Sequence, residues 1–275
     1  MNTYTVSLKE EYGITGGELE CILMRLPFDA DNGWKRPAVI VVPGGGYGGV
    51  SKREGAPIAA AFLARGYQTF VLTYLCVGAD VRYPEQLIEL GCAVDYVKKH
   101  ADEMNVNADE IFVVGFSAGG HLTANLAVDY ANVPALAQRP LDCKPTAVGL
   151  SYPVISKIDG HQGSYENLLK GYTDEAKEEL LKVLNLDEVV SETTAPSFLW
   201  ATANDGAVPA SNALRFALAC ARKKVPYEIH VYPDGPHGLS LADNEISAGG
   251  TAPRRCMRWI DDCAAFFRSY AKEPY

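Results

Sequence analysis

A serine that attacks a carbonyl needs an exposed hydroxyl on a sharp turn, a base to take its proton, and an acid to hold that base. The stretch "GFSAGGHLTANLA" (115–127) supplies the first requirement. Its spacing Gly115-Phe116-Ser117-Ala118-Gly119 fits the Gly-X-Ser-X-Gly elbow, in which the turn points Oγ outward. The same residues fit a plain strand-to-helix turn whose serine only caps the helix. The five-residue pattern leaves both readings open, and its context has to decide between them.

The chain holds five histidines, so the base can be sought by elimination. His100 ends an amphipathic helix and is expected in solvent. His121 follows the serine's own turn and is expected to pack or cap within that helix. His161 falls in a polar insertion, and His230 inside a strand. His237, in "YPDGPHGLSLA", is the one histidine on a loop after the last expected strand and after all the candidate acids. The acid should leave the preceding strand, and "SFLWATANDGAVPASNAL" places Asp205 there, ahead of a helix. A turn residue or helix cap is the competing reading of Asp205. Three suitable residue types on three separate strand exits favour the catalytic reading.

Acyl transfer also needs donors for the oxyanion. Ala118 N–H, beside the serine, is one candidate, and Gly45 or Gly46 of "PGGGY" (43–47) is the other. Gly44, Gly46 and Gly49 also satisfy Gly-X-Gly-X-X-Gly, but a dinucleotide site requires a helix opening directly from the glycines and an acid ending the next strand. Here "VSKREGAP" intervenes and the next strand ends "TYLC". A phosphate loop fails as well, because Val50 stands where its lysine should be.

The elements that must carry these residues are legible as apolar periodicities. "RPAVIVV", "YQTFVLTYL", "EIFVVGF", "TAVGLSYP", "SFLWATA" and "YEIHVYP" read as strands, preceded by an amino-terminal extension with one or two more. Between them, "GAPIAAAFLARGY" has helical spacing ending at Gly66. The stretch from Pro84 to Met104 places Leu87, Leu90, Val94 and Val97 on one helix face. "AGGHLTANLAVDY", "PASNALRFALACARKK" and the closing "APRRCMRWIDDCAAFFRSY" complete the series. Strands alternating with helices imply an α/β fold with a mostly parallel sheet covered on both faces. No repeat or long linker interrupts it, so residues 1–275 are expected to form one domain.

Composition narrows the function. The chain has 275 residues, 48% hydrophobic and 21% charged, and 25 basic against 34 acidic residues give a net charge of −9. That charge, with no Lys/Arg block, disfavours nucleic acid and anionic membranes as partners. The first residues lack the apolar core of a signal peptide, and no run reaches the roughly 20 apolar residues of a membrane span. Seven scattered cysteines without a Cys-X-X-Cys pair read as reduced core thiols, with a reactive Cys76 as the minor alternative. The expected location is the cytoplasm, and no metal or organic cofactor is implied.

Taken together, "PGGGY", "GFSAGGHLTANLA", "SYPVIS", "ATANDGAVP" and "PDGPHGL" resemble the α/β-hydrolase superfamily. The likeness is to small esterases related to acetylxylan esterases and hormone-sensitive-lipase-like carboxylesterases, which use the chain order Ser, Asp, His. The resemblance implies an eight-stranded, mostly parallel sheet, with Ser117, Asp205 and His237 as nucleophile, acid and base. It also implies a cap-like insertion near 156–195 and a small acyl ester, such as an acetylated sugar, as substrate. Two departures stand out: Asn204-Asp205 where relatives often carry two aspartates, and Pro43 where the HGGG form has histidine. A serine peptidase of the same fold and a catalytically silent binding protein are the alternatives. The insertion is rich in Asp, Glu and Lys with few leucines, which suits short acyl groups. Tyr47, Tyr152, Tyr165 and Trp200 are candidate aromatic faces for a sugar, with core packing as the competing reading.

Overall fold

The amino-terminal segment folds as β1 (Asn2–Ser7), a short α1 (Leu8–Tyr12) and β2 (Glu18–Leu23). Ser7 caps α1 by accepting the Glu10 N–H, and Gly13 ends it at φ 63°. The computed structural model describes residues 1–25, 34–79, 81–243, 253 and 255–271. Further along lie β3 (Arg36–Val42), α2 (Ala56–Leu63), β4 (Gln68–Thr73), α3 (Glu85–Lys99), β5 (Val106–Phe116), α4 (Ala118–Asp129) and α5 (Val133–Leu136). The carboxyl-terminal half contributes β6 (Ala147–Ser151), α6 (Gln162–Leu168), α7 (Asp174–Leu184), β7 (Ser197–Thr202), α8 (Ser211–Lys223), β8 (Tyr227–Tyr232) and α9 (Trp259–Arg268).

The strands form one eight-stranded sheet in the order β1-β2-β4-β3-β5-β6-β7-β8. β2 pairs antiparallel with both neighbours, and every other pairing is parallel. This is the α/β-hydrolase arrangement. The apolar runs explain it, because a strand buried on both faces has no need of polar alternation. In β3, Ala38, Ile40 and Val42 face the core under α3 and α4, while Val39 and Val41 face the core under α2 and α9. β5 does the same, with Ile111 and Val113 on one side and Phe112 and Val114 on the other.

Some boundaries differ from the sequence expectation. α3 stops at Lys99 rather than Met104, since the Ala101 carbonyl turns to accept the Val106 N–H and Asn105 adopts φ 52°. β5 starts at Val106, ahead of "EIFVVGF", because Arg36 pairs with Val106 across a register shift. The closing helix begins at Trp259 after one 3₁₀ turn at Cys256–Arg258. Ala252 and Arg254 of the expected helix lie outside the described residues. Between β6 and β7, α6 and α7 occupy the expected insertion. Leu168, Leu169, Leu184 and Leu186 are buried against the body, so these leucines are spent on seating the insertion.

Candidate active site

Ser117 leaves β5 and opens α4 at φ 53°, ψ −117°, a conformation that costs an L-residue roughly 1–3 kcal/mol. The turn is held by Ser117 N–H to Ser151 O (3.0 Å) and by Val154 N–H to Ser117 O (3.1 Å). Its tightness requires glycine on both sides. A Cβ on Gly115 would lie 2.2 Å from Thr123 Oγ1, and one on Gly119 would lie 2.2 Å from Val42 O. Ser117 makes no side-chain cap bond to α4, so the helix-capping reading fails. Its Oγ lies 2.8 Å from His237 Nε2 instead.

His237 Nδ1 is in turn 2.7 Å from Asp205 Oδ2. A carboxylate only accepts, so Nδ1 carries the proton and Nε2 is left to accept from the serine hydroxyl. Asp205 is fixed from behind, since its Oδ1 accepts the N–H groups of Ala207 and Val208, both at 2.9 Å. Burial alone would raise the Asp205 pKa. The hydrogen bond from His237 and those from Val208 and Ala207 outweigh it and leave the carboxyl below its ordinary 3.8. The Asn204 departure is accommodated, because its Oδ1 accepts the Gly235 N–H at 2.8 Å and steadies the loop that carries His237.

The "PGGGY" loop faces this array. Gly44 N–H is engaged, donating to Glu54 Oε2 at 2.9 Å. The N–H groups of Gly45, Gly46 and Ala118 have no acceptor among the described residues. Asn167 of α6 donates to Gly46 O at 2.8 Å, so the insertion pins the loop from outside. Tyr47 O–H donates to His121 Nδ1 (2.9 Å), and His121 Nε2–H donates to Leu184 O (3.1 Å). Burial pulls His121 down to about 4, which keeps it neutral, and it packs as expected.

Ser117 and His237 lie on the wall of a cleft of 370 Å³. Gly45, Gly46, Arg53, His161 and Asn167 share the lining, and none of the described lining residues is leucine, isoleucine, valine or phenylalanine. Among the described residues, three larger hollows, of 450, 580 and 650 Å³, hold neither Ser117 nor His237. The proposed aromatic faces are a correction. Tyr47, Tyr152, Tyr165 and Trp200 are all buried and absent from the cleft. Their polar ends are used internally, as in Trp200 Nε1–H to Ser151 Oγ at 2.8 Å and Tyr165 O–H to Ile155 O at 3.1 Å.

Other expectations resolve simply. His100 meets Glu103 at 3.3 Å and stacks near Tyr96, and His230 pairs with Glu228 at 2.7 Å. Cys76 is half-buried, and burial pushes its thiol up to about 11, which argues against a nucleophilic role. Arg53, Glu54 and Asn167 are among the cleft residues that the sequence reading did not single out, and His161, which that reading placed only in a polar insertion, joins them. An acid just before a helix in "SKREGAP" was the available signal for Glu54, but it gives no hint of the partner.

Several known proteins are similar to this chain. The chain is 36% identical over 223 residues to Endo-1,4-beta-xylanase B of Butyrivibrio fibrisolvens, an alignment covering 78% of this chain and 34% of that protein. It is 29% identical over 211 residues to the Acetylxylan esterase of Xylanibacter ruminicola, covering 74% of this chain and 41% of that one. The chain therefore spans well under half the length of these two curated relatives. Among solved structures, the acetyl ester-xyloside bifunctional hydrolase from Caldicellulosiruptor lactoaceticus superposes with a TM-score of 0.80 at 29% identity, over 97% of this chain and 96% of that one. The BD-FAE family profile matches residues 25–219, a span that runs from ahead of β3 through the strained serine and Asp205 into α8. With the strand order, the buried serine turn and this match in agreement, the chain belongs to the BD-FAE family of α/β-hydrolases.

Proposed function

We propose that this protein is a serine carboxylic ester hydrolase that removes short acyl groups, acetyl foremost, from sugars such as xylo-oligosaccharides. The observation that carries this reading is the continuous chain Ser117 Oγ–His237 Nε2, His237 Nδ1–Asp205 Oδ2, at 2.8 and 2.7 Å. Ser117 Oγ attacks the ester carbonyl while its proton passes to His237 Nε2. The carbonyl π pair moves to oxygen, and that oxyanion is met by Ala118 N–H and by Gly45 or Gly46 N–H. On collapse, His237 returns the proton to the leaving alcohol, and an acyl-enzyme remains. Water then repeats the sequence, with His237 taking its proton and Ser117 leaving as the restored hydroxyl. Asp205 holds the imidazole in the required tautomer and offsets the charge it acquires. The polar cleft supports a sugar ester over a fatty one, and the sugar-ester relatives point the same way.

The test is turnover of a panel of acetylated xylo-oligosaccharides, aryl acetates and aryl octanoates by wild type and by Ser117→Ala. The expected result is acetyl hydrolysis by wild type, reduced by about four to six orders of magnitude in kcat for the variant with the fold intact. Near-normal turnover by Ser117→Ala refutes the mechanism.

A further inference from the structure

Glu54 is a buried carboxylate whose two oxygens are both spent within the site. It is 3% exposed, at the end of the 3₁₀ turn Lys52–Glu54 that follows the glycine loop. Oε2 accepts Gly44 N–H at 2.9 Å, and Oε1 accepts Tyr152 O–H at 2.7 Å. Gly44 is also the loop residue packed hardest against the serine. A Cβ there would sit 2.7 Å from Phe116 O, 2.9 Å from Glu54 Oε2 and 3.0 Å from Ser117 Cβ. The Glu54 bond thus sets how far the next two residues, Gly45 and Gly46, stand from the nucleophile.

Tyr152 carries the second half of the link. It lies just past β6 at φ 37°, its ring 5.0 Å from that of His237, and its oxygen accepts the Ser240 N–H at 2.9 Å. Burial, followed by the charge of Glu54, pushes its phenol well above 10, so it remains a donor to the carboxylate. Ser240 Oγ donates to Arg53 O at 2.5 Å and its carbonyl accepts Trp259 Nε1–H at 2.9 Å. The loop bearing His237 is therefore tied, three residues beyond the imidazole, to the same turn that holds Gly44.

Resting on the esterase reading above, we infer that Glu54 is a positioning residue for transition-state stabilisation. One carboxylate sets the glycine donors against Ser117 and, through Tyr152, sets the histidine loop against both. A carboxamide cannot replace it, because its NH₂ would face either the Gly44 N–H or the Tyr152 hydroxyl where an acceptor is required.

The test compares wild type, Glu54→Gln, Tyr152→Phe and the double variant on an aryl acetate. Phenylboronic acid serves as a tetrahedral mimic and an aryl phosphonate as a serine titrant. Glu54→Gln is expected to lower kcat about 30-fold with KM within about threefold, as misplaced donors weaken only the transition state. The phenylboronic acid inhibition constant should rise by a comparable factor, while the phosphonate still titrates one serine per chain. Tyr152→Phe should lower kcat about fivefold with the same KM-independence, and the double variant should match Glu54→Gln rather than the product of the two losses. An unchanged kcat, a loss confined to KM, boronate affinity that does not follow kcat, or multiplicative losses would each overturn the inference. If Glu54→Gln does not fold, the kcat and boronate changes in Tyr152→Phe decide the matter alone. Phosphonate titration of wild type, absent in Ser117→Ala, keeps the esterase reading standing whichever way Glu54 falls. A wild type that takes no phosphonate overturns both.

Discussion

Asp205→Asn isolates one physical requirement of the site, the tautomer of His237. In the native arrangement Oδ1 accepts two backbone N–H groups, from Ala207 and Val208 at 2.9 Å each, and Oδ2 faces His237 Nδ1 at 2.7 Å. An asparagine there has only one orientation that avoids opposing donors. Its oxygen must keep the two N–H groups, so its NH₂ must face the imidazole. Nδ1 then becomes the acceptor and the proton moves to Nε2, the nitrogen 2.8 Å from Ser117 Oγ. A protonated Nε2 cannot take the serine proton, although no atom has moved far. The expected loss is about 10⁴ in kcat, equivalent to roughly 5.4 kcal/mol at 1.36 kcal/mol per decade. Because both backbone bonds survive, the melting temperature should stay within a few degrees of wild type. Asp205→Ala, by contrast, strands the two N–H groups at about 1–3 kcal/mol each and should melt clearly lower. Steady-state hydrolysis of an aryl acetate at neutral pH measures the first effect and thermal unfolding the second. Nitrogen NMR of His237 reports the tautomer directly. An Asp205→Asn enzyme within tenfold of wild-type kcat, or one whose His237 still carries its proton on Nδ1, would refute this reasoning.

Three further outcomes are expected. His237→Ala should cost kcat about as much as Ser117→Ala, whereas His230→Ala, which loses its pair with Glu228 and ring packing against Phe198 and Tyr232 away from Ser117, should leave kcat within about threefold of wild type; comparable catalytic losses at both positions would leave the base unassigned. Acetyl esters should exceed octanoyl esters in kcat/KM by at least about tenfold, since among the described residues no aliphatic side chain larger than alanine lines the cleft to repay roughly 0.8 kcal/mol per methylene, and a preference for eight carbons would move the protein toward lipase-like substrates. Glu89 Oε2 accepts Leu75 N–H at 2.8 Å deep in the core, and burial raises its pKa from 4.5 to about 8. The folded state holds that proton while the unfolded chain releases it near 4.5, so the group's contribution to stability declines as pH rises from about 4.5 to 8. Glu89→Gln should remove that decline, and denaturant melts showing a pH-independent gap between variant and wild type would contradict it.

The order and type of the main elements were legible because each buried strand is an apolar run and each helix a periodic stripe. For the same reason Ser117, Asp205 and His237 could be placed on strand exits before any coordinates. Boundaries were less legible where a long-range pairing decides them, as when Arg36 draws Val106 into β5. Asn204 shows a middle case. The sequence marked it as a departure, and only the fold shows its amide oxygen holding Gly235.

The sequence by itself determined which residues can do chemistry and in what chain order they reach the sheet's edge, because turn glycines, apolar periods and the scarcity of histidine are local or countable properties. Tertiary structure alone decided which groups meet. Glu54 reaches Tyr152 across 98 positions and Asn167 reaches Gly46 across 121, separations that carry no periodicity to read. It alone also turned four aromatic side chains away from the cleft and into the core. A tyrosine has the same composition on a sugar platform as in a packed interior, and only the surrounding contacts and the partner of its hydroxyl distinguish the two.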